Sequence, residues 1–186
     1  MRIVKKPEER RAEMVAAASK LFARQGFVRT SVAEIVSAVD VAKGLFYYYF
    51  TTKDDMVKAV VEGYCGYLET VANEIADGEG TAREKLARLM HHKSLESCFT
   101  EPMVADLCLP QHAALYMDMC DRIYAHIGPA VERIVAQGLA ERGKDEAYAK
   151  RITGVGLYGS RMTARRGGLN TASAGDMADR LLSVAD

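Results

Sequence analysis

Residues 30–53 read TSVAEIVSAVDVAKGLFYYYFTTK, and the punctuation of this stretch decides the fold. Ser31 and Glu34 stand in the S-x-x-E spacing of a capping box, in which hydroxyl and carboxylate each satisfy a backbone N–H at a helix start. Val32, Ile35 and Val36 then fall on one helical face, and the pattern gives out at Val39-Asp40. After that turn, residues 42–48 predict another short helix. Thr52 opens a longer one, with Asp54 and Asp55 in its first turn, at the positive end of the helix dipole. Helices of only two turns are marginal alone in water. They need a third helix to pack against, which is the helix-turn-helix arrangement, with Ile35, Val39 and Val41 as internal apolar contacts.

The partner helix lies upstream. Pro7 suits a first helical position and is followed by Glu8 and Glu9; Met14, Ala18, Leu21 and Phe22 make an apolar stripe. Gly26 is expected to end this helix as a left-handed cap, with Phe27 folding back on it, so the helix covers about residues 8–25.

The run Phe46-Tyr47-Tyr48-Tyr49-Phe50 holds 5 of the 14 Phe and Tyr residues of the chain. Phe46, Tyr49 and Phe50 share a helical face and predict inward packing. Tyr47 and Tyr48 are left outside beside Lys43, where their hydroxyls suit donation to phosphate oxygens. Gly44 costs about 1 kcal/mol relative to alanine within a helix, and its missing side chain lets a partner come close.

At this point the sequence resembles a family. VAEIVSAVDVAKGLFYYYFTTKDDM is similar to the helix-turn-helix of tetracycline-repressor-like (TetR) regulators, whose pattern resembles T-x-x-x-I-A-x-x-A-G-V-S-K-G-T-L-Y-x-Y-F-x-S-K-E-x-L. Ile35, Val41, Lys43, Gly44, Tyr47, Tyr49, Phe50 and Lys53 match as they stand. Three residues depart from it. Asp40 replaces a usual glycine at a turn that requires positive φ, which aspartate tolerates better than most residues. Ala42 replaces a frequent serine, and Leu45 a frequent threonine, exchanging a hydrogen bond for an apolar contact of the kind a thymine methyl accepts. The candidate DNA-contacting residues are Thr30, Ser31, Ala42, Lys43, Gly44, Leu45, Tyr47, Tyr48 and Lys53.

Charge is distributed in keeping with this. The chain carries 25 Lys or Arg against 25 Asp or Glu; residues 1–53 hold 10 against 5, leaving 15 against 20 for the rest. A head of +5 on a body of −5 suits a head that meets phosphate.

The whole chain reads as all-α: an N-terminal helix-turn-helix domain over residues 1–54 and a helical effector-binding and dimerisation domain over 55–186. The fourth helix is expected to run past Tyr64 in spite of Gly63 and Gly66, with further helices near 64–76, 82–97, 103–125, 129–141, 146–163 and 174–184. Breaks are expected at residues 77–80, at Glu101-Pro102, Gly128-Pro129, Arg142-Gly143 and at 166–168; three of the four prolines lie near expected boundaries. The charged N-terminus and the lack of any long apolar run point to a cytoplasmic protein.

Residues 90–126 gather all four histidines and three of the four cysteines among several methionines. Such soft side chains suit an interior that adapts around an apolar or aromatic small molecule, and the resemblance implies an inducer of that kind. His92, Cys108, His112, Tyr116, Met117, Cys120, Tyr158 and Met162 are the candidate ligand residues. A metal- or thiol-sensing helical adaptor is the alternative, but Cys108 and His112 are the one His/Cys pair at the four-residue spacing many helical metal sites use. No catalytic motif and no cofactor-binding loop stands out; Asp106, His112 and Asp118 are the nearest to an acid–base set. The reading is a DNA-binding repressor, not an enzyme, without cofactor, released from a palindromic operator by a small molecule. It pairs as a homodimer through helices near 146–163 and 174–184, where Ile152, Val155, Gly156, Gly159 and Met162 form a stripe.

Overall fold

The computed structural model describes residues 6–90, 92 and 100–156. All regular elements among them are helical: α1 Pro7–Gln25, α2 Val32–Ala38, α3 Lys43–Tyr49, α4 Lys53–Asp77, α5 Ala82–Met90, α6 Glu101–Leu107 and α7 Ala113–Ala140. Short 3-10 turns at Pro110–His112 and Glu146–Tyr148 flank α7, and a last helix, α8, is described over 149–156. The expected helix near 174–184 lies outside the described residues. None of the described helices is long and apolar enough to cross a membrane.

The starts of the head helices are set by local bonds. Ser31 Oγ accepts from the N–H of Glu34 at 3.2 Å and the N–H of Ser31 donates to the Glu34 carboxylate at 2.7 Å, the reciprocal capping box. The Ser31 backbone N–H first, then the Gln25 amide and the Ser31 hydroxyl, hold the Glu34 carboxyl below its ordinary range. Thr52 and Asp55 repeat the device at the start of α4, at 3.1 and 2.9 Å. The turn between α2 and α3 places Asp40 at φ 50°, the sole positive φ among the described non-glycine residues. Gly26 also has positive φ, 79°, but its ψ of 164° is extended, so the chain leaves α1 straight toward Phe27 without a left-handed turn.

One expected break is absent, one unexpected break is present, and α4 is longer than expected. α4 runs unbroken through Gly63 and Gly66, so the helix expected near 64–76 is its second half. Neither glycine faces any neighbour within 4 Å, while Val57, Val61, Cys65, Leu68 and Ala72 bury a continuous stripe on the other side. Burial of that stripe outweighs about 1 kcal/mol per glycine. α7 likewise continues through Gly128-Pro129. Proline there removes one backbone bond, but Ile127, Ala130, Val131 and Ile134 hold both sides in the core. The Tyr124 ring fills the space where a side chain at position 128 would stand. The helix expected over 103–125 instead ends at Leu107 and restarts at Ala113. Pro110 forces extended backbone at Leu109, φ −63° and ψ 140°.

Two buried clusters result. The nearer joins Met14, Ala18 and Phe22 of α1 with Phe27, Ile35, Phe46, Phe50 and the first half of α4, and also takes in Met103 and Leu107 of α6 and Leu115, Tyr116 and Met119 of α7. The farther packs the second half of α4 on Leu86 and Leu89 of α5, the second half of α7, and Ile152 of α8. At its edge Lys85, 6% exposed, donates to the carbonyl of Ala76 at 2.9 Å and to Gln137 Oε1 at 2.8 Å. This ammonium closes the open C-terminal turn of α4.

Candidate nucleic-acid interface

α3 is two turns long and divides cleanly into an anchoring side and a free side. Phe46 and Phe50 are buried, their rings 5.5 Å apart, and Tyr49 is partly buried against the same core. Arg11 of α1 covers Phe50 from outside at 5.1 Å. On the free side stand Ala42, Lys43 and Gly44, with Tyr47 at 53% and Tyr48 at 75% exposure. Lys43 Nζ lies 6.0 Å from the Tyr47 ring centre, a cation–π distance. A side chain built on Gly44 would meet nothing within 4 Å, so this face is open to an incoming surface. The arrangement presents one ammonium, two phenol hydroxyls and a bare stretch of backbone on a rigid base. Those groups hydrogen-bond phosphate oxygens and allow close approach to a groove.

The other candidates for this site are placed differently. Ser31 is exposed and its hydroxyl is shared with Glu34, donating at 2.8 Å. Thr30 is 1% exposed and donates to the carbonyl of Gly26 at 2.7 Å, which makes it a brace of the α1–α2 turn. Leu45 is partly buried against the core. Lys53 donates to the carbonyls of Val28 at 3.2 Å and Thr30 at 3.3 Å. It ties the same turn to the start of α4, leaving one N–H for another acceptor.

That turn is also held from the body, by residues to which the local pattern assigns no role in the head. The N–H of Val28 donates to Asp106 Oδ2 of α6 at 2.8 Å. Gly26 lies so close to this carboxylate that any side chain there would run into it. Phe27 packs its ring 4.9 Å from that of His112, whose Nδ1–H donates to the Asp106 carbonyl at 2.7 Å. A 78-residue separation leaves no local signal for the Val28–Asp106 bond; the Gly26-Phe27 pair is the nearest clue.

Of the candidate ligand residues, His112 sits at this junction. Tyr116 is buried in the nearer cluster, with Met117 and Cys120 packed on it; His92 and Cys108 are partly buried. Tyr158 and Met162 lie outside the described residues. A groove of about 500 Å³ between α1 and α4, lined by Ala12, Ala16, Ser19, Ala59, Gly63 and Tyr64 among others, includes none of these candidates. Among the described residues no group of three or more His, Cys, Asp or Glu could hold a metal ion. Cys65 is fully buried, and burial, with Glu62 adding to it, pushes its thiol up to about 11. It is therefore not a thiolate at neutral pH. Asp118 pairs with Arg122 at 2.9 Å, while the Asp106 carboxylate holds the Val28 N–H and His112 the Asp106 carbonyl.

Residues 14–60 match the model of the bacterial regulatory proteins of the tetR family. The chain is 26% identical over 107 residues to the HTH-type transcriptional repressor NemR of Escherichia coli (strain K12), covering 53% of this chain and 54% of that protein. It is 34% identical over 84 residues to the HTH-type transcriptional regulator HbdR of Aromatoleum sp. (strain CIB), covering 45% and 35%. It thus spans about half the length, or less, of the curated relatives it matches. Among solved structures, RolR in complex with resorcinol superposes with a TM-score of 0.67 at 20% identity, covering 96% of this chain and 88% of that one. FadR from Bacillus subtilis in complex with stearoyl-CoA gives 0.53 at 17%, covering 92% and 97%. The stretch from the middle of α1 into α4 thus matches the bacterial regulatory proteins of the tetR family, and the fold is similar to that of these solved structures.

Proposed function

We propose that this chain is a DNA-binding transcriptional repressor whose head, residues 1–54, reads a palindromic operator. Its body, residues 55–186, pairs with a second copy and binds a small-molecule inducer. The observation that carries this reading is the free face of α3, with Lys43, Gly44, Tyr47 and Tyr48 outward over a buried aromatic base. Lys43, Tyr47 and the remaining N–H of Lys53 contact phosphate; Ser31, Ala42 and Tyr48 flank them, and Leu45 shapes the fit to the groove. Thr30 acts by bracing the turn. Two heads on a two-fold axis read half-sites about one helical turn, or a multiple, apart. The pairing surface assigned to helices near 146–163 and 174–184 falls mostly outside the described residues.

The inducer is a small apolar or aromatic compound. NemR is a repressor by name, and RolR and FadR hold resorcinol and stearoyl-CoA, so the fold accommodates both aromatic and acyl ligands. Binding in the body acts by favouring an arrangement in which the two α3 helices no longer match successive grooves. α4 carries the shift, and α6, bonded to the α1–α2 turn through Asp106, is a second lever on the head. A regulator of this kind works in the cytoplasm.

The test is operator selection from random DNA followed by a salt titration. Lys43→Ala is expected to weaken all selected sequences alike and reduce the salt slope by about one unit. Unchanged affinity and slope in that variant, or no enriched sequence at all, would overturn the reading.

A further inference from the structure

α4 and α7 lie against each other, and the partly exposed rim of that contact carries a row of charged groups. α7 contributes Asp118, Arg122 and His126 at four-residue spacing; α4 contributes Glu62 and Glu69, seven apart, so all face one seam. Arg122 bonds Asp118 at 2.9 Å and Glu62 at 3.3 Å. His126 then bridges both α4 carboxylates, Nδ1 lying 2.6 Å from Glu69 and Nε2 3.3 Å from Glu62.

A neutral imidazole has one N–H. If Nδ1 donates to Glu69, a neutral ring turns a bare lone pair toward the other carboxylate, and that contact becomes repulsive. Only the imidazolium donates on both sides. We propose that His126 is a proton-operated clamp between the connecting helix α4 and the body, closed as imidazolium and loosened when the ring loses its proton.

The surroundings favour the closed form. From α4 the ring faces Glu62 and Glu69, with Cys65 buried between them as a neutral thiol. From its own helix it has Arg122, whose charge is already matched by Asp118. Glu62, Glu69 and Asp118 against Arg122 and Lys58 leave the seam negative without the imidazolium. The hydrogen bond to Glu69, and then that to Glu62, raise the ring's proton affinity above the ordinary histidine value. A raised value in the folded protein means the clamp is fully present below the unfolded value and is lost as pH rises through the folded one. An ordinary histidine titrates near 6.5, so the loss falls above that pH.

Glu62 lies nine residues beyond the first residue of α4, about 14 Å along the helix. The clamp therefore grips α4 between its start at the head and its packing in the farther cluster. Resting on the DNA-binding reading, the functional consequence is that opening the clamp lets α4 pivot, so operator affinity falls as the ring deprotonates.

Histidine side-chain NMR on the full chain tests the clamp without DNA. The resonance missing in His126→Gln is expected to titrate with a midpoint above 6.5, and Glu69→Gln to lower it more than Glu62→Gln. A midpoint at or below the ordinary value, or one that neither substitution moves, overturns the clamp. Operator binding between about pH 6 and 8.5 tests the consequence: wild type is expected to weaken about fivefold and His126→Gln to show a flat profile. Parallel profiles overturn the coupling even if the midpoint is raised. A protein that binds no DNA at any pH sinks the repressor reading and the consequence with it, while the NMR result still decides the clamp.

Discussion

The two ends of α4 are built by different means. At its start the helix enters a core of short elements, α2 and α3, each seven residues long. These are placed by individual bonds: the Ser31–Glu34 box, Lys53 on the turn carbonyls, Asp106 on the N–H of Val28. At its far end the helix joins α5, α7 and α8 in a cluster of Leu, Val, Ile and Ala, where long apolar stripes set the packing. Short helices require specific caps because propensity and length cannot hold them. Long helices buried along one face carry a glycine or a proline without breaking. The recognition surface is thus the part of the molecule where single polar substitutions tell most.

The largest expected effect would break the idea that the nearer cluster joins head and body. Phe46→Ala removes a fully buried ring beneath the free face of α3 and is expected to cost about 3–5 kcal/mol in urea unfolding. Because that cluster includes Met103, Leu107 and Met119, probes in α3 and in α7 should shift together. Head and body melting separately would show that the shared core does not act as one unit.

Next in size is Asp106→Ala, which leaves the Val28 N–H without its charged acceptor. The expected cost is about 1.5–3 kcal/mol, with Asp106→Asn retaining part of the bond. A loss below about 0.5 kcal/mol, the scale of an ordinary surface substitution, would show that the α1–α2 turn needs no support from α6.

The smallest effect sharpens the contrast between stability and function. Gly44→Ala adds a methyl that meets nothing within 4 Å and should stabilise the chain by about 0.5–1 kcal/mol. If the proposed face of α3 lies against DNA, the same variant should bind operator less well, because the methyl would stand in the way of close approach. Improved stability with unchanged affinity would place Gly44 away from the interface.

What could be read from the sequence follows the same division. The capping box, the positive φ at Asp40 and the inward and outward sorting of the aromatic run are local, and local chemistry fixes them. The breaks expected at residues 77–80, Glu101-Pro102 and Arg142-Gly143 are found, whereas those at Pro110 and Pro129 are not told apart because the two prolines look alike in sequence. The first follows Leu109, which is exposed, whereas the second is flanked by buried Ile127 and Ala130. Nor does any spacing rule couple Val28 to Asp106 or Glu69 to His126, since these partners meet only after α6 and α7 have docked. The candidate ligand residues rest on composition, and composition does not say which side of a helix faces which core.

The enclosed ammonium of Lys85 has a use at the bench. Amine-acylating reagents modify a lysine only when its nitrogen meets solvent with a free lone pair, and this one is 6% exposed and held by Ala76 and Gln137. Exposed lysines such as Lys43 should acquire label within the first moments of a reaction. Label on Lys85 should then accumulate only as fast as the junction of α4, α5 and α7 opens. Mass spectrometry of that one peptide, with and without a candidate inducer, converts a buried cap into a clock for motion at the far end of the molecule.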